Sequence, residues 1–434
     1  MKTYDDYRPS GVQWIGKIPS HWEVLKTKFI CSSIYAGGTP STTRPEYWNG
    51  DIPWVASGAC HDCEISEGSK FITEIGLMQS STKMIPANTA LVAMTGATCA
   101  NTGYLKINAC ANQSVTAYIN IPDFCDSRYL WYVLQSAREE LLTYKTGGAQ
   151  GGINVKDCAN IKVCLPPLAE QEAIAKYLDY KAVQVDSIID NNQHQIALLE
   201  ELKSSVISHA VTRGINLDVP LKASGVDGLG DIPQHWKTTL FKRLLREPMM
   251  YGANESAESY KESEPRFIRI TDITLDGKLN NDNKASLSRS KAIKYMLHKG
   301  DLLFARSGAT VGKCYLFKED IEACFAGYLI KAQCDKELMP EYMRYYCQSH
   351  YYNEWKAQSF IQSTIQNISA ERYSYLPVTL PPVDEQEAIA KYLDQRTAKI
   401  NAQIAKIQMQ NQLLQEYKSS LISEVVTGKR KVID

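Results

Sequence analysis

The sequence predicts an α+β fold: two α/β lobes joined by two long antiparallel helices that form a coiled coil, the whole being a pseudo-two-fold tandem duplication. Three observations predict it. Sequence landmarks recur at a nearly constant spacing. Two long segments contain neither proline nor glycine. Within those segments apolar residues return every seventh position.

The repeat is read first. Leu165-Pro-Pro-Leu-Ala-Glu-Gln-Glu-Ala-Ile-Ala-Lys-Tyr-Leu-Asp179 returns as Leu380-Pro-Pro-Val-Asp-Glu-Gln-Glu-Ala-Ile-Ala-Lys-Tyr-Leu-Asp394, 215 residues on, and Lys203–Ser208 returns as Lys418–Ser423 at the same offset. An opening motif, Ser10-Gly11-Val12, Gly16, Ile18-Pro19 and His21-Trp22, returns 214 residues later as Ser224-Gly225-Val226, Gly230, Ile232-Pro233 and His235-Trp236. The middles have diverged, the clearest echo being Thr95-Gly96-Ala97-Thr98 against Ser307-Gly308-Ala309-Thr310. Like frames around unlike centres suggest a shared architectural job and a divided surface-specific one; drift in two structural copies is the alternative. The expected division is 1–164 for the first lobe with its opening segment, 165–214 for a long helix, 215–379 for a linker and the second lobe, and 380–434 for a second long helix.

After Pro167 and Pro382 no helix breaker occurs until Gly214 and Gly428. The heptad column is Leu178, Val185, Asn192, Leu199, Val206 in the first segment and Leu393, Ile400, Ile407, Leu414, Leu421 in the second. Ile188, Ile189, Ile196 and Leu202 widen the first stripe and Ile404 the second. The stripes could be the core face of a compact bundle. Pairing is favoured because each helix is long and no third of similar length is visible. Asn192 either sets register at some cost in stability or lies at a wet edge. The short Gly214–Ala223 connection places the second lobe near the far end of the first helix, so the second helix must run back. Roughly 40 residues at about 1.5 Å each give a rod of roughly 60 Å.

The 434 residues are 44% hydrophobic and 22% charged, enough for two to four domains, with 48 basic and 48 acidic side chains. That balance excludes a polycationic tail or an acidic disordered chain and leaves local basic faces open. No apolar run is long enough for a membrane span, and MKTYDDYRPSG is too polar for a secretory signal. Twelve irregularly spaced cysteines read as reduced thiols in a cytoplasm.

A two-headed ruler suits a ligand with its own repeat, and duplex DNA leads. Tyr35-Ala-Gly-Gly-Thr-Pro-Ser-Thr-Thr-Arg44 offers hydroxyls, glycines and an arginine for phosphates or base edges, or is an ordinary turn-rich connection. The second copy has Tyr251-Gly252-Ala253-Asn254, then Arg266-Phe-Ile-Arg269-Ile-Thr271-Asp272, and a basic run with Arg289, Lys291, Lys294, Lys299 and Arg306. Residues 235–379 carry 21 Lys and Arg against 17 Asp and Glu, so the second head is the better equipped for phosphate. The candidate DNA-binding residues are Gly38, Thr39, Ser41, Thr42, Arg44, Ser57 and Thr95 in the first copy. In the second they are Asn254, Arg269, Thr271, Arg289, Lys291, Lys294, Arg306, Ser307 and Lys313.

Catalytic signals are weak. Gly308-Ala-Thr-Val-Gly312-Lys313-Cys314 has phosphate-loop character, but its glycine spacing is one short and Cys314 replaces the hydroxyl that would hold magnesium. Cys60-His61-Asp62-Cys63 has metal-ligand spacing without a second pair, so a thiol-bearing loop is the better reading and no metal site is expected. His21 and His235 are expected to pack beside Trp22 and Trp236. No amino-methylating Asp/Asn-Pro-Pro-aromatic motif and no dinucleotide loop is present.

The twice-used Leu-Pro-Pro-x-x-Glu-Gln-Glu-Ala-Ile-Ala-Lys-Tyr-Leu-Asp before a long helix, the twice-used Gly-x-Ile-Pro-x-His-Trp, and Tyr35–Ser41 with Pro45-Glu-Tyr-Trp48 and Ile52-Pro-Trp54 resemble the DNA-specificity subunit of type I restriction-modification systems over nearly the whole chain. The resemblance implies two target-recognition domains, each reading one half of a bipartite duplex DNA target. It implies helices that set the gap and dock two modification (methyltransferase) subunits, with restriction (translocase/nuclease) subunits completing the complex. It implies no catalytic residues and no cofactor on this chain; S-adenosylmethionine, ATP and Mg belong to partner subunits. The second copy lacks the Gly-Gly-Thr-Pro-Ser loop, so the half-sites should differ. The alternatives are a stand-alone DNA-modifying or DNA-cleaving enzyme and a non-DNA scaffold.

Overall fold

A computed structural model describes residues 3–147, 151–274, 277–308, 310–360 and 367–432, the side chain of residue 360 excepted. Ala309, in the glycine-rich stretch noted above, lies outside them. The chain is α+β and forms two compact units, Met1–Asn192 with Met409–Asp434, and Gln193–Gln408. Each long helix is therefore divided between the two units.

In the first unit the strands of the two larger sheets are β1 (Cys31–Ala36), β2 (Trp48–Val55), β3 (Cys63–Ile65), β4 (Thr89–Ala93), β5 (Thr102–Leu105), β6 (Cys110–Ala111) and β7 (Val115–Asn120), with Lys70–Ile72 between β3 and β4 in sequence. A five-stranded sheet runs β1-β7-β4-β5-β3. β2 lies in a second sheet, between β6 in parallel and Lys70–Ile72. All five residues of β4 are buried. Helix α1 (Ser127–Ser136) packs on β4 and β5. Its first turn is fixed by Asp126, whose carboxylate accepts from the Tyr129 amide at 2.7 Å.

In the second unit, β8 (Met250–Tyr251), β9 (Arg266–Ile268), β10 (Leu302–Ala305), β11 (Cys314–Leu316), β12 (Ala323–Phe325) and β13 (Leu329–Ala332) repeat that plan in shorter strands. One sheet runs β8-β13-β10-β11, and β9 pairs in parallel with β12. These reproduce the β1-β7-β4-β5 order and the β2–β6 parallel pair of the first unit.

The proline- and glycine-free segments form α2 (Leu168–Arg213) and, after α3 (Pro340–Tyr346), α4 (Val383–Val426). In the first unit they run antiparallel: Asn192 Nδ2 donates to Asn411 Oδ1 at 2.7 Å, and Lys418 Nζ lies 2.7 Å from Asp186 Oδ1. In the second unit Lys203 Nζ donates to Asn401 Oδ1 at 2.8 Å. Leu178, Val185, Asn192, Leu393, Ile400 and Leu421 are buried, and Leu199, Val206, Ile407 and Leu414 are half-buried. Two stripe positions need correction: Ile188 and Leu202 are exposed. The column beside the seam is Ile189, Ile196 and Lys203 on α2, and Thr397, Ile404, Asn411 and Lys418 on α4, none of them exposed. Counting apolar residues finds Ile189, Ile196 and Ile404 but passes over Lys203, Thr397, Asn411 and Lys418, which complete the column.

Each unit is closed by the helix end that belongs, in sequence, to the other copy. Gly428, φ +73°, packs against Pro19 and Trp22, and Gly214, φ +80°, packs against Pro233 and Trp236. Left-handed backbone at a helix C-terminus favours glycine, which explains the two stops. The Tyr129 hydroxyl donates to the carbonyls of Cys164 at 3.1 Å and Val426 at 3.3 Å. In the second unit Tyr342 donates to Val211 at 2.9 Å. Gln171 and Gln386, both fully buried, tie the start of each long helix to the preceding Leu-Pro-Pro carbonyls at 2.9 Å. The repeated motif is thus a structural frame. His21 lies 3.0 Å from Glu170, and His235 lies 2.8 Å from Glu385, each ring edge-on to its neighbouring tryptophan.

Candidate nucleic-acid interface

In the first unit the candidate residues gather around the turn Asn112–Val115. The Asn112 amide donates to Val55 O at 2.9 Å, and the Met94 amide to Ser114 O at 2.7 Å. Thr95 therefore adjoins the turn on one side, while Ser57 lies just past its support on the other. The Thr39 hydroxyl donates to Gln113. Ser41, Thr42 and Arg44 are exposed on the loop leading away. The Ser41 hydroxyl lies 2.9 Å from Thr43 Oγ1, and Arg44 lies over the Tyr47 ring at 5.5 Å.

The reading of the glycines needs correction. The Gly37 amide donates to Val115 O at 3.0 Å and the Gly38 amide to Ala111 O at 2.8 Å. A Cβ at Gly37 would overlap the Ala111 carbonyl, and one at Gly38 would overlap Ser81 and Thr82. Gly38 is a packing residue whose N–H is already bonded, not a phosphate cradle. Sequence reasoning also missed the basic and aromatic pairs on this face. Lys83 lies over Tyr35 and Lys70 over Trp48, each at 5.3 Å from the ring centroid. Their partners are 48 and 22 residues away in the chain, so no local motif announces them.

The second unit has the same framework with different chemistry. Arg306 lies 4.8 Å from the Tyr251 ring centroid, and its amide donates to Tyr328 O at 3.0 Å. Ser307 bridges to Asn367. Lys313 is half-buried close to Lys356, whose ammonium is held below its ordinary value first by burial and further by the charge of Lys313. Asn254, Thr271 and Lys294 are exposed.

Three basic candidates are engaged within the protein. The Arg269 guanidinium donates to Asp272 at 2.9 Å and to Asn283 O at 2.6 Å, and the Asp272 hydrogen bonds push its pKa up. Arg289 forks onto Glu322, and Lys291 lies 3.4 Å from both Glu255 and Glu258. Exposed pairs such as the last two are screened by solvent and can exchange partners. Arg269, which also closes a short helical turn, is the one fixed in a structural role.

The residues of the remaining motifs are engaged within the chain. Gly312 and Lys313 direct their amides to Ala305 O at 2.9 Å and Thr310 O at 3.0 Å, and a strand follows them, where a phosphate loop needs free amides at a helix start. Cys60 is buried while Cys63 is exposed, and Asp62 is engaged by Arg138 and Thr102. Among the described residues no group of three His, Cys, Asp or Glu side chains is placed to hold a metal. None of the described helices is long and apolar enough to cross a membrane.

The chain is 23% identical over 441 aligned residues to the type I restriction enzyme MjaIX specificity subunit of Methanocaldococcus jannaschii, covering 96% of this chain and 95% of that one. It is 26% identical over 241 residues to the EcoBI specificity subunit of Escherichia coli, covering 53% and 50%. Among solved structures, one described as the basis of complex assembly and conformational transition of the type I R-M system aligns with a TM-score of 0.72 at 16% identity, covering 94% of this chain and 98% of that one. The HsdS subunit from Thermoanaerobacter tengcongensis aligns with a TM-score of 0.50 at 15% identity, covering 95% and 98%. The type I restriction modification DNA specificity domain matches twice, over residues 19–201 and 255–411, and the protein belongs to that family.

Proposed function

We propose that this chain is the DNA sequence-recognition subunit of a type I restriction-modification complex. Each unit reads one half of a bipartite duplex target, and the long helices set the permitted gap and dock two modification subunits, to which restriction subunits are added. The observation that carries this reading is the pairing of one framework with two chemically unlike faces. One is lined by Thr39, Gln113, Ser41 and Lys83, the other by Arg306, Tyr251 and Tyr328. The chain is non-catalytic and binds no cofactor; S-adenosylmethionine, ATP and Mg act on partner subunits, in the cytoplasm. Methylome sequencing with and without the chain tests this. A split motif with a fixed gap, methylated only when the chain is present, is expected. Methyl transfer or cleavage by the purified chain alone would instead identify a stand-alone enzyme.

A further inference from the structure

We propose that the turns Gln113–Ser114 and Gly327–Tyr328 are the base-reading tips of the two units, and that Gln113 and Tyr328 determine the specificity of their respective half-sites. This rests on the DNA-reading role above and names the residues that carry it.

The turns are equivalent by hydrogen bonding. Val115 N closes the first onto Asn112 O at 3.2 Å, and Leu329 N closes the second onto Ala326 O at 2.9 Å. Each is clamped from three sides. Asn112 N donates to Val55 O at 2.9 Å, and Ala326 N to Ile268 O at 3.0 Å. Met94 N donates to Ser114 O at 2.7 Å, and Arg306 N to Tyr328 O at 3.0 Å. Gly37 N reaches Val115 O at 3.0 Å, and Gly252 N reaches Leu329 O at 3.2 Å. The two glycines approach the turn backbones so closely that a Cβ on either would overlap a carbonyl. The mount is the same in both units, while the exposed side chain differs: Gln113 in one, and Tyr328, 62% exposed, in the other.

A fixed backbone lowers the ordering cost of a contact. Flexible surface lysines supply attraction to phosphate that carries no sequence information. Discrimination therefore falls to the rigidly mounted side chains. The Thr39 hydroxyl donates to Gln113 Oε1, which orients the amide and leaves its N–H donors for acceptors such as guanine O6 and N7. Tyr328 offers a ring for a base face or a thymine methyl, beside an arginine suited to phosphate.

The test is methylation of a randomised duplex library by the complex reconstituted with its modification subunits. Gln113→Ala should weaken the preference at one base pair of one half-site about tenfold or more, leaving the other half-site as in wild type. Gln113→Glu should move that preference toward a base presenting a donor, cytosine or adenine. Tyr328→Ala should act on the opposite half-site alone. Unchanged preference in all three variants overturns the proposal, as does equal loss in both half-sites, which would mark a structural role. No split motif with the wild-type chain would overturn the DNA-reading role itself.

Discussion

Tyr129 and Tyr342 hold the last turn of a long helix against the sheet of each unit through one buried hydroxyl. Replacing either with phenylalanine keeps the packing and removes a buried hydrogen bond, although the Val211 carbonyl still accepts from the Thr379 hydroxyl at 2.6 Å. Each should cost about 1 kcal/mol and lower the melting temperature by about 2–4 °C, read by calorimetry. The thiols give a second residue-scale expectation. Burial pushes Cys31, Cys60 and Cys164 from 9.0 up to about 12. Between those values the folded chain keeps protons that the unfolded chain releases. Stability is therefore full below pH ~9 and falls as pH rises beyond it, which urea melts across that range would report. At neutral pH exposed Cys63 should alkylate well before the buried thiols. Gln113 and Tyr328 left no mark in the sequence. The equivalence of their two turns appears only when the carbonyls and amides around each are matched, and within the turns the residues are unlike, Gln113 against Gly327 and Ser114 against Tyr328.

At the scale of elements the long helices were the most legible part, because proline and glycine punctuate them and a seven-residue period survives along their length. Their second column was legible only in part: Ile189, Ile196 and Ile404 stand out, but Asn411 and Lys418 occupy positions that a count of apolar residues passes over. Asn192→Ala removes the buried partner of half-buried Asn411 and should cost about 1 kcal/mol. Replacing both asparagines with leucine should restore or raise the melting temperature while loosening register, visible as mixed cross-linking between engineered cysteines. The strands were far less legible. Those of the second unit are mostly two to four residues long, too short to establish alternation. The parallel pairing of β9 with β12 joins segments some 57 residues apart, which no local pattern signals.

For the whole molecule, domain exchange is the decisive operation. Replacing residues 20–164 with another lobe should swap one half-site only, provided the new lobe keeps the equivalents of Trp22 and Tyr129, which meet Gly428 and Val426. Inserting four residues near Asn192 and four near Ile407 should alter the tolerated gap and leave both half-sites intact, as sequencing of methylated sites would record. DNA affinity should fall steeply with salt, since phosphate contacts release counterions. The duplicated frame was readable at this scale because its spacing is nearly constant; the exchange of helix ends between copies was not, since it is a matter of packing.

That exchange fixes an order of completion. Gln193–Gln408 is a continuous stretch, whereas the other unit takes its final pieces from Met409–Asp434. Leu421, Ile422, Val425 and Val426 belong to the same core as Trp22 and Tyr129. On a ribosome the amino-terminal unit, though made first, stays unfinished until Leu421–Val426 have been translated, and the later-made unit is the first to be whole. A premature stop before Leu421 removes four buried side chains, roughly 6–12 kcal/mol of burial, comparable to the entire stability of a domain. Such a truncated product should retain one protease-resistant unit and lose the other.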